Sequence, residues 1–299
     1  MDTRRALLVD AFAAEPLAGN AAGVVPDADD LSDAQMQAIA RELAVSETAF
    51  VRSSATADRR LRYFSPTQEV DLCGHATIAA HAFLHESGAI DAGEGTVETN
   101  VGVLDVEIEA DGTVWMNQDR PTVERIAPDY DRLGAALGID PAALRDVGAD
   151  APIAVASTGL PFVLVPVNFL ENLSQASPDA GAIEDLADEH GAAGVYAFTF
   201  DTLGGDATLH ARAFAPALGI TEDPVTGTAA GACGAYLREV GAFDDFPAEM
   251  RFEQGHFLDR PGRIRVEATT EVRVGGHGVT SFDGTLTVPD DEDDDILEA

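Results

Sequence analysis

One pattern occurs twice in this 299-residue chain, and it constrains the fold more than any other feature. Arg62-Tyr63-Phe64-Ser65-Pro66 and Arg212-Ala213-Phe214-Ala215-Pro216 both read R-x-F-x-P. A short connection follows each copy, and then a glycine opens a run of small residues. That run is Gly74-His75-Ala76-Thr77-Ile78-Ala79-Ala80 in the first copy and Gly227-Thr228-Ala229-Ala230-Gly231-Ala232-Cys233 in the second. The offset is 150 residues at the first motif and 153 at the second, so the later connection is three residues longer. Two motifs in the same order indicate a duplicated domain. A period this long excludes a solenoid of short repeats.

Each copy has a direct physical reading. A strand (61–64 or 209–214) ends at proline, and a loop carries acidic residues (Glu69 and Asp71, or Glu222 and Asp223) to the glycine. An Ala-rich helix then begins, and its small side chains let it lie close to surrounding backbone. Its first turn presents unpaired N–H groups and the positive end of the helix dipole, which suits an anionic ligand group. Alternating apolar residues over 95–110, 113–117, 250–253, 263–268, 272–274 and 285–288 predict strands, and 31–43 predicts a helix. The fold class is therefore α+β, in two pseudo-symmetric domains, each a rolled sheet around a central helix, with the two helix N-termini facing a shared cleft. We place an N-terminal half at 1–120 and a C-terminal half at 121–288, divided at the polar stretch that Pro121 and Pro128 bracket. Residues 289–299 read as a disordered acidic tail.

Charge excludes one class of partner. Eighteen arginines and no lysine stand against 53 acidic residues, a net charge of −35. Nucleic-acid phosphates would be repelled. Acid spread along the whole chain is the composition of a salt-adapted, halophilic protein, kept soluble by surface charge under strong screening. The longest apolar run, 160–167, is far short of the about 20 residues a membrane span needs. With no leader-like stretch at the start, the expected setting is the cytoplasm, without membrane partners. Two cysteines, Cys73 and Cys233, make no disulfide framework and no four-thiol zinc site.

Several residues can carry chemistry. Glu47 lies among small and apolar residues in Val45-Ser46-Glu47-Thr48-Ala49-Phe50, where a partly buried carboxyl can shuttle a proton; a surface or capping glutamate would look the same. His75 follows Gly74 at the predicted helix start, placed to act as acid/base, to meet a substrate carboxylate, or simply to cap the helix. Cys73 precedes that turn, while Cys233 lies inside the second helix and reads as packing. Asp223, before Pro224, is either a turn former or a carboxylate for a substrate group or for His75. Asn20, in Gly19-Asn20-Ala21, can hydrogen-bond a ligand or hold a turn. Thr228, beside Gly227, can cap its helix or contact a ligand. Cys73, His75, His81 and His85 are near in sequence, but no HExxH pattern is present and His75 would point away from His81, so no metal is expected. No Gly-rich nucleotide loop appears, and no cofactor is expected.

These segments resemble a known family. Asp10-Ala11-Phe12, Pro16-Leu17-Ala18-Gly19-Asn20, Ser46-Glu47-Thr48-Ala49-Phe50, Arg62 to Pro66, Asp71-Leu72-Cys73-Gly74-His75-Ala76-Thr77 and Glu222-Asp223-Pro224-Val225-Thr226-Gly227 are similar, in order, to the phenazine-biosynthesis-like (PhzF-like) proteins. Arg260-Pro261-Gly262-Arg263 continues the match. The resemblance implies a diaminopimelate-epimerase-like fold, a homodimer, and a cofactor-independent isomerase acting on a small, anionic amino or hydroxy acid. It implies Glu47 as the acid/base, His75 and Asp223 as its partners, and Gly74, Gly227 and Thr228 as ligand contacts. Related epimerases use two opposed cysteines. Here Cys73 sits near one such place and the second-half loop has no thiol, which argues against a symmetrical two-thiol mechanism. An amino-acid racemase or epimerase, and a non-catalytic metabolite-binding protein of the same fold, are the competing readings.

Overall fold

The computed structural model describes residues 2–127, 129–147 and 151–290. The chain divides into two compact units. The first comprises Met1–Leu17, Ala21–Trp115 and His277–Ala299, and the second Ala18–Asn20 and Met116–Gly276. The predicted acidic tail lies, but for Pro289 and Asp290, outside the described residues.

In chain order the first unit contains β1 (Asp2–Ala11), β2 (Asn20–Val25), α1 (Asp33–Leu43), β3 (Thr48–Arg52), β4 (Arg59–Phe64), β5 (Glu69–Val70), α2 (Gly74–Glu86), β6 (Gly93–Thr99), β7 (Gly102–Ile108) and the start of β8 (Val114–Asn117). The second contains β9 (Thr122–Arg125), α3 (Tyr130–Leu137), α4 (Pro141–Arg145), β10 (Ala154–Ser157), β11 (Pro161–Pro166), α5 (Leu170–Ser174), α6 (Ala180–Glu189), β12 (Gly194–Thr199), β13 (Leu209–Ala215), β14 (Ile220–Asp223), α7 (Gly227–Val240), β15 (Met250–Gln254), β16 (Gly262–Ala268) and β17 (Val272–Gly276). The chain then returns to the first unit as β18 (Gly278–Val288), which runs antiparallel to β1 from Asp2 opposite Val288 to Ala11 opposite Gly278. A boundary at 120 and a second half running to 288 therefore differ from the observed division: it falls at Trp115/Met116, and the last strand is hydrogen-bonded into the first unit.

Strand pairing repeats from unit to unit. In the first, β2 runs parallel to β3, β3 antiparallel to β4, β4 antiparallel to β5 and parallel to β6, and β6 antiparallel to β7. In the second, β11 is parallel to β12, β12 antiparallel to β13, β13 antiparallel to β14 and parallel to β15, and β15 antiparallel to β16. The duplicated motif is thus a duplicated topology.

The central helices explain why the repeat is rich in Ala and Gly. In α2 every side chain from Ala76 to Leu84 is buried, and in α7 every residue from Ala229 to Leu237. Helices apolar on all faces must be enclosed on all faces. Strands β1, β3 and β18 pack on α2, and β9, β10, β11, β16 and β17 on α7. The fit is close: a Cβ added at Gly234 would stand 2.6 Å from Val266 Cγ1. Helix α1 instead has one buried face (Met36, Ile39, Ala40), and a reciprocal capping box between Ser32 and Gln35 starts it. No helix among the described residues is long and apolar enough to cross a membrane.

The acidic segments after each R-x-F-x-P, expected as loops, fold back as short strands. Arg62 and Glu69 explain the first: the guanidinium grips the carboxylate through Nε and Nη2 at 2.8 and 2.7 Å. Arg212 grips Glu222 identically at 2.9 and 2.7 Å. Each guanidinium also lies over the phenylalanine two residues on, 5.2 Å from the Phe64 centroid and 5.1 Å from Phe214. The three extra residues of the later copy lie between Phe214 and Glu222, where a 3₁₀ turn, Pro216–Leu218, lengthens the return.

The two ion pairs differ in burial, and this sets a prediction. Glu222 exposes 10% of its side chain against 29% for Glu69, and Arg212 also donates to the Leu173 and Ala176 carbonyls. Glu222→Gln is expected to cost about 3–5 kcal/mol in urea unfolding, since it leaves a buried guanidinium unpaired. Glu69→Gln should cost less than half of that. Acid sensitivity follows from His81 in α2. Its Nδ1–H donates to the Thr77 carbonyl at 2.8 Å, its Nε2 has no partner, and burial pushes its pKa down to about 4. An unfolded histidine titrates near 6.5, so this neutral imidazole stabilises the fold fully above that pH. The stabilisation is lost as pH falls from about 6.5 to 4, at most about 3 kcal/mol. Unfolding midpoints of His81→Gln should fall less steeply over that interval than those of the wild type.

Candidate active site

In the first unit, Glu47, Cys73 and His75 come together. Glu47 stands between α1, which ends with Ala44 in a left-handed conformation (φ 55°), and β3, where parallel pairing lets Gly23 N–H donate to the Glu47 carbonyl at 3.0 Å. Cys73 is the N-cap of α2 and His75 its second helical residue. The Cys73 thiol donates to Glu47 Oε2 at 3.6 Å and lies 3.4 Å from His75 Nδ1. His75 Nε2 is 3.5 Å from Glu47 Oε2 and 3.2 Å from Ser46 Oγ. Cys73 is buried, and Glu47 and His75 keep 20% and 13% of their side chains exposed. Among the described residues this trio is the only group of His, Cys, Asp and Glu donors clustered tightly enough to hold a metal ion, its ligand atoms all within 4.8 Å of one another. His81 instead points into the core.

The second unit builds a different network on the matching turn. Asp223 Oδ1 accepts from Asn20 Nδ2 at 2.8 Å and Oδ2 from Thr226 Oγ1 at 2.5 Å. Asn20 Nδ2 also donates to the Val225 carbonyl, while Gln254 donates to the Asp223 carbonyl and Thr226 Oγ1 and accepts from Thr226 N–H. The loop that presents Asn20 is held by Arg260, which donates to the Gly19 and Ala18 carbonyls at 2.9 and 2.7 Å. Superimposing the repeats pairs Cys73 with Thr226, His75 with Thr228, and Asp223 with Val70. Asp223 and His75 therefore do not occupy equivalent positions.

Helices α1, α3, α4 and α6 have side-chain N-caps, from Ser32, Asp129, Asp140 and Asp179. Cys73 and Thr226, the N-cap residues of α2 and α7, make no side-chain capping hydrogen bond. Gly74 is exposed, and a Cβ placed on it would meet nothing within 4 Å; Gly227 and Thr228 are half-buried. Cys233 is fully buried, and desolvation holds its thiol pKa well above the usual range. Sequence reasoning did not single out Ser46, Thr226, Gln254 or Arg260. The first two and Arg260 lie inside the motifs quoted for the family resemblance, whereas Gln254 carries no signal of its own.

The family model for phenazine biosynthesis-like proteins matches residues 9–284. The chain belongs to this family. It is 37% identical over 290 residues to the uncharacterized isomerase YfhB of Bacillus subtilis, covering 95% of this chain and 96% of that one. It is 33% identical over 293 residues to the trans-2,3-dihydro-3-hydroxyanthranilate isomerase of Pseudomonas chlororaphis, covering 94% and 99%. Among solved structures, the PhzF-family protein of Bacillus anthracis superimposes with a TM-score of 0.87 at 32% identity, over 96% of this chain and all of that one. A hydroxyproline epimerase from Agrobacterium vitis matches with a TM-score of 0.59 at 15% identity, over 97% of this chain and 93% of that one, and shows a shared fold alone. The fold is thus diaminopimelate-epimerase-like, and the protein is an isomerase.

Proposed function

We propose that this isomerase needs no cofactor and moves a proton on a small carboxylate-bearing metabolite, with Glu47 as the shuttle. The observation that carries the reading is the contact of the Glu47 carboxylate with His75 and Cys73 at the uncapped start of α2. Glu47 takes a proton from a carbon next to an activating group and returns it to another carbon of the same substrate. His75, steadied by Ser46, donates a hydrogen bond to the charge that develops. In the second unit Asp223, fixed by Asn20 and Thr226, is a carboxylate available to a polar group of a ligand. The substrate carboxylate is held by the first-turn amide at Gly74, where the positive end of the α2 dipole attracts an anion in a protein whose overall charge repels it.

A racemase or epimerase needs bases on opposite faces of one carbon. The Glu47 carboxylate and Cys73 thiol are 3.6 Å apart, beside the start of α2, so they reach a carbon from the same side. That arrangement favours transfer between two carbons over inversion at one.

In deuterated water, with a panel of small amino and hydroxy acids, wild type is expected to wash deuterium into its substrate without inverting the centre. Glu47→Gln should lose about 10²–10⁴ of that rate with an unchanged melting temperature. Undiminished exchange in Glu47→Gln removes Glu47 from the chemistry, and exchange with inversion restores the racemase reading. Gly74→Ala tests the carboxylate site. Its methyl has open space, so stability should move by less than about 1 kcal/mol. The KM should rise about tenfold, as expected when one charge-assisted hydrogen bond weakens by about 1.4 kcal/mol.

A further inference from the structure

We propose that Glu47, Cys73 and His75 form an open, inhibitory binding site for a borderline-soft divalent cation, zinc above all. The inhibition rests on the function proposed above; the binding does not. The three side chains offer a carboxylate oxygen, a sulfur and an imidazole nitrogen, a donor set that suits zinc and is poor for magnesium or calcium. Glu47 Oε2 is 3.6 Å from Cys73 Sγ and 3.5 Å from His75 Nε2, and Sγ is 4.0 Å from Nε2. A tetrahedron with zinc bonds of about 2.0–2.3 Å has edges of about 3.3–3.7 Å. Two edges already fit, and the third closes by a small rotation of His75.

The scaffold holds the donors in place. Cys73 is the N-cap of α2 and His75 lies in its first turn, and β3, which follows Glu47, packs on that helix. Three protein ligands leave a fourth position for water or a substrate carboxylate, the arrangement of open zinc sites. Gly74, between the two donors of the helix start, is exposed, and nothing stands within 4 Å of a Cβ built on it. Binding expels the Cys73 thiol proton to solvent, so thiolate and carboxylate together neutralise the dication. The ion then occupies Glu47 Oε2 and His75 Nε2, the atoms that proton transfer uses. Metal binding and turnover exclude each other.

The test uses metal-stripped full-length protein titrated with cobalt(II) chloride under excess magnesium, which saturates the acidic surface with a hard ion. Expected are visible d–d bands and a near-ultraviolet thiolate-to-cobalt charge-transfer band that saturate at one equivalent, with about one proton released and displacement by zinc. Cys73→Ser should lose the charge-transfer band, and Glu47→Gln should bind cobalt at least about tenfold more weakly, about 1.4 kcal/mol. Absence of the band, or its survival in Cys73→Ser, overturns the site. If the spectrum appears but wild type exchanges no proton on any substrate, the functional reading fails and the site stands. If exchange is present and one equivalent of zinc leaves it unchanged, the inhibitory role falls.

Discussion

The structure depends on burying, in each unit, a helix that has no polar face. Helices α2 and α7 cannot rest on a flat sheet, because a one-sided contact would leave half of each apolar surface in water. Strands must come round them, and the backbone must come near, which is why alanine and glycine fill the helices. The same constraint shapes the two helix starts. Burial stops at the first turn, where Gly74 is exposed and Gly227 half-buried, and neither helix has a side-chain cap there.

Upon this shared frame the two copies have diverged in chemistry while keeping one device intact. The arginine that stacks on phenylalanine and grips a glutamate survives in both, since it pins the short return strand that delivers the chain to the helix. The cap position carries a thiol in one copy and a hydroxyl in the other. The second helical residue is an imidazole in one and a threonine in the other. One copy thus places a thiol and an imidazole beside Glu47, and the other holds a hydrogen-bonded carboxylate between Asn20 and Thr226.

Much of this is legible in the sequence. Small residues at helical spacing after a glycine announce a buried helix, and the alternating apolar runs predicted near 95–110 and 263–268 are strands β6, β7 and β16. Return strands β5 and β14 were not legible, because their acidic residues read as loop until the arginine partners seven and ten positions earlier are seen to neutralise them. The membership of β18 was hidden for another reason: a period of two marks a strand and says nothing about which strand it joins. Glu47 lies outside the repeat and was reached through the family resemblance. Gln254 and Arg260 act on backbone carbonyls brought near only by the tertiary fold, and no spacing in the sequence encodes that approach.

The return of β18 to pair with β1 has a consequence for synthesis. The second unit is encoded almost without interruption, so its main segment, Met116–Gly276, has emerged before the last strand of the first is made. Domains made on the ribosome usually fold in the order of their appearance. Here the unit that begins the chain must wait, with one edge of β1 unpaired, until residues 278–288 arrive. During that interval β1, whose inner half is buried in the finished fold, is an open strand edge able to pair wrongly with another nascent chain.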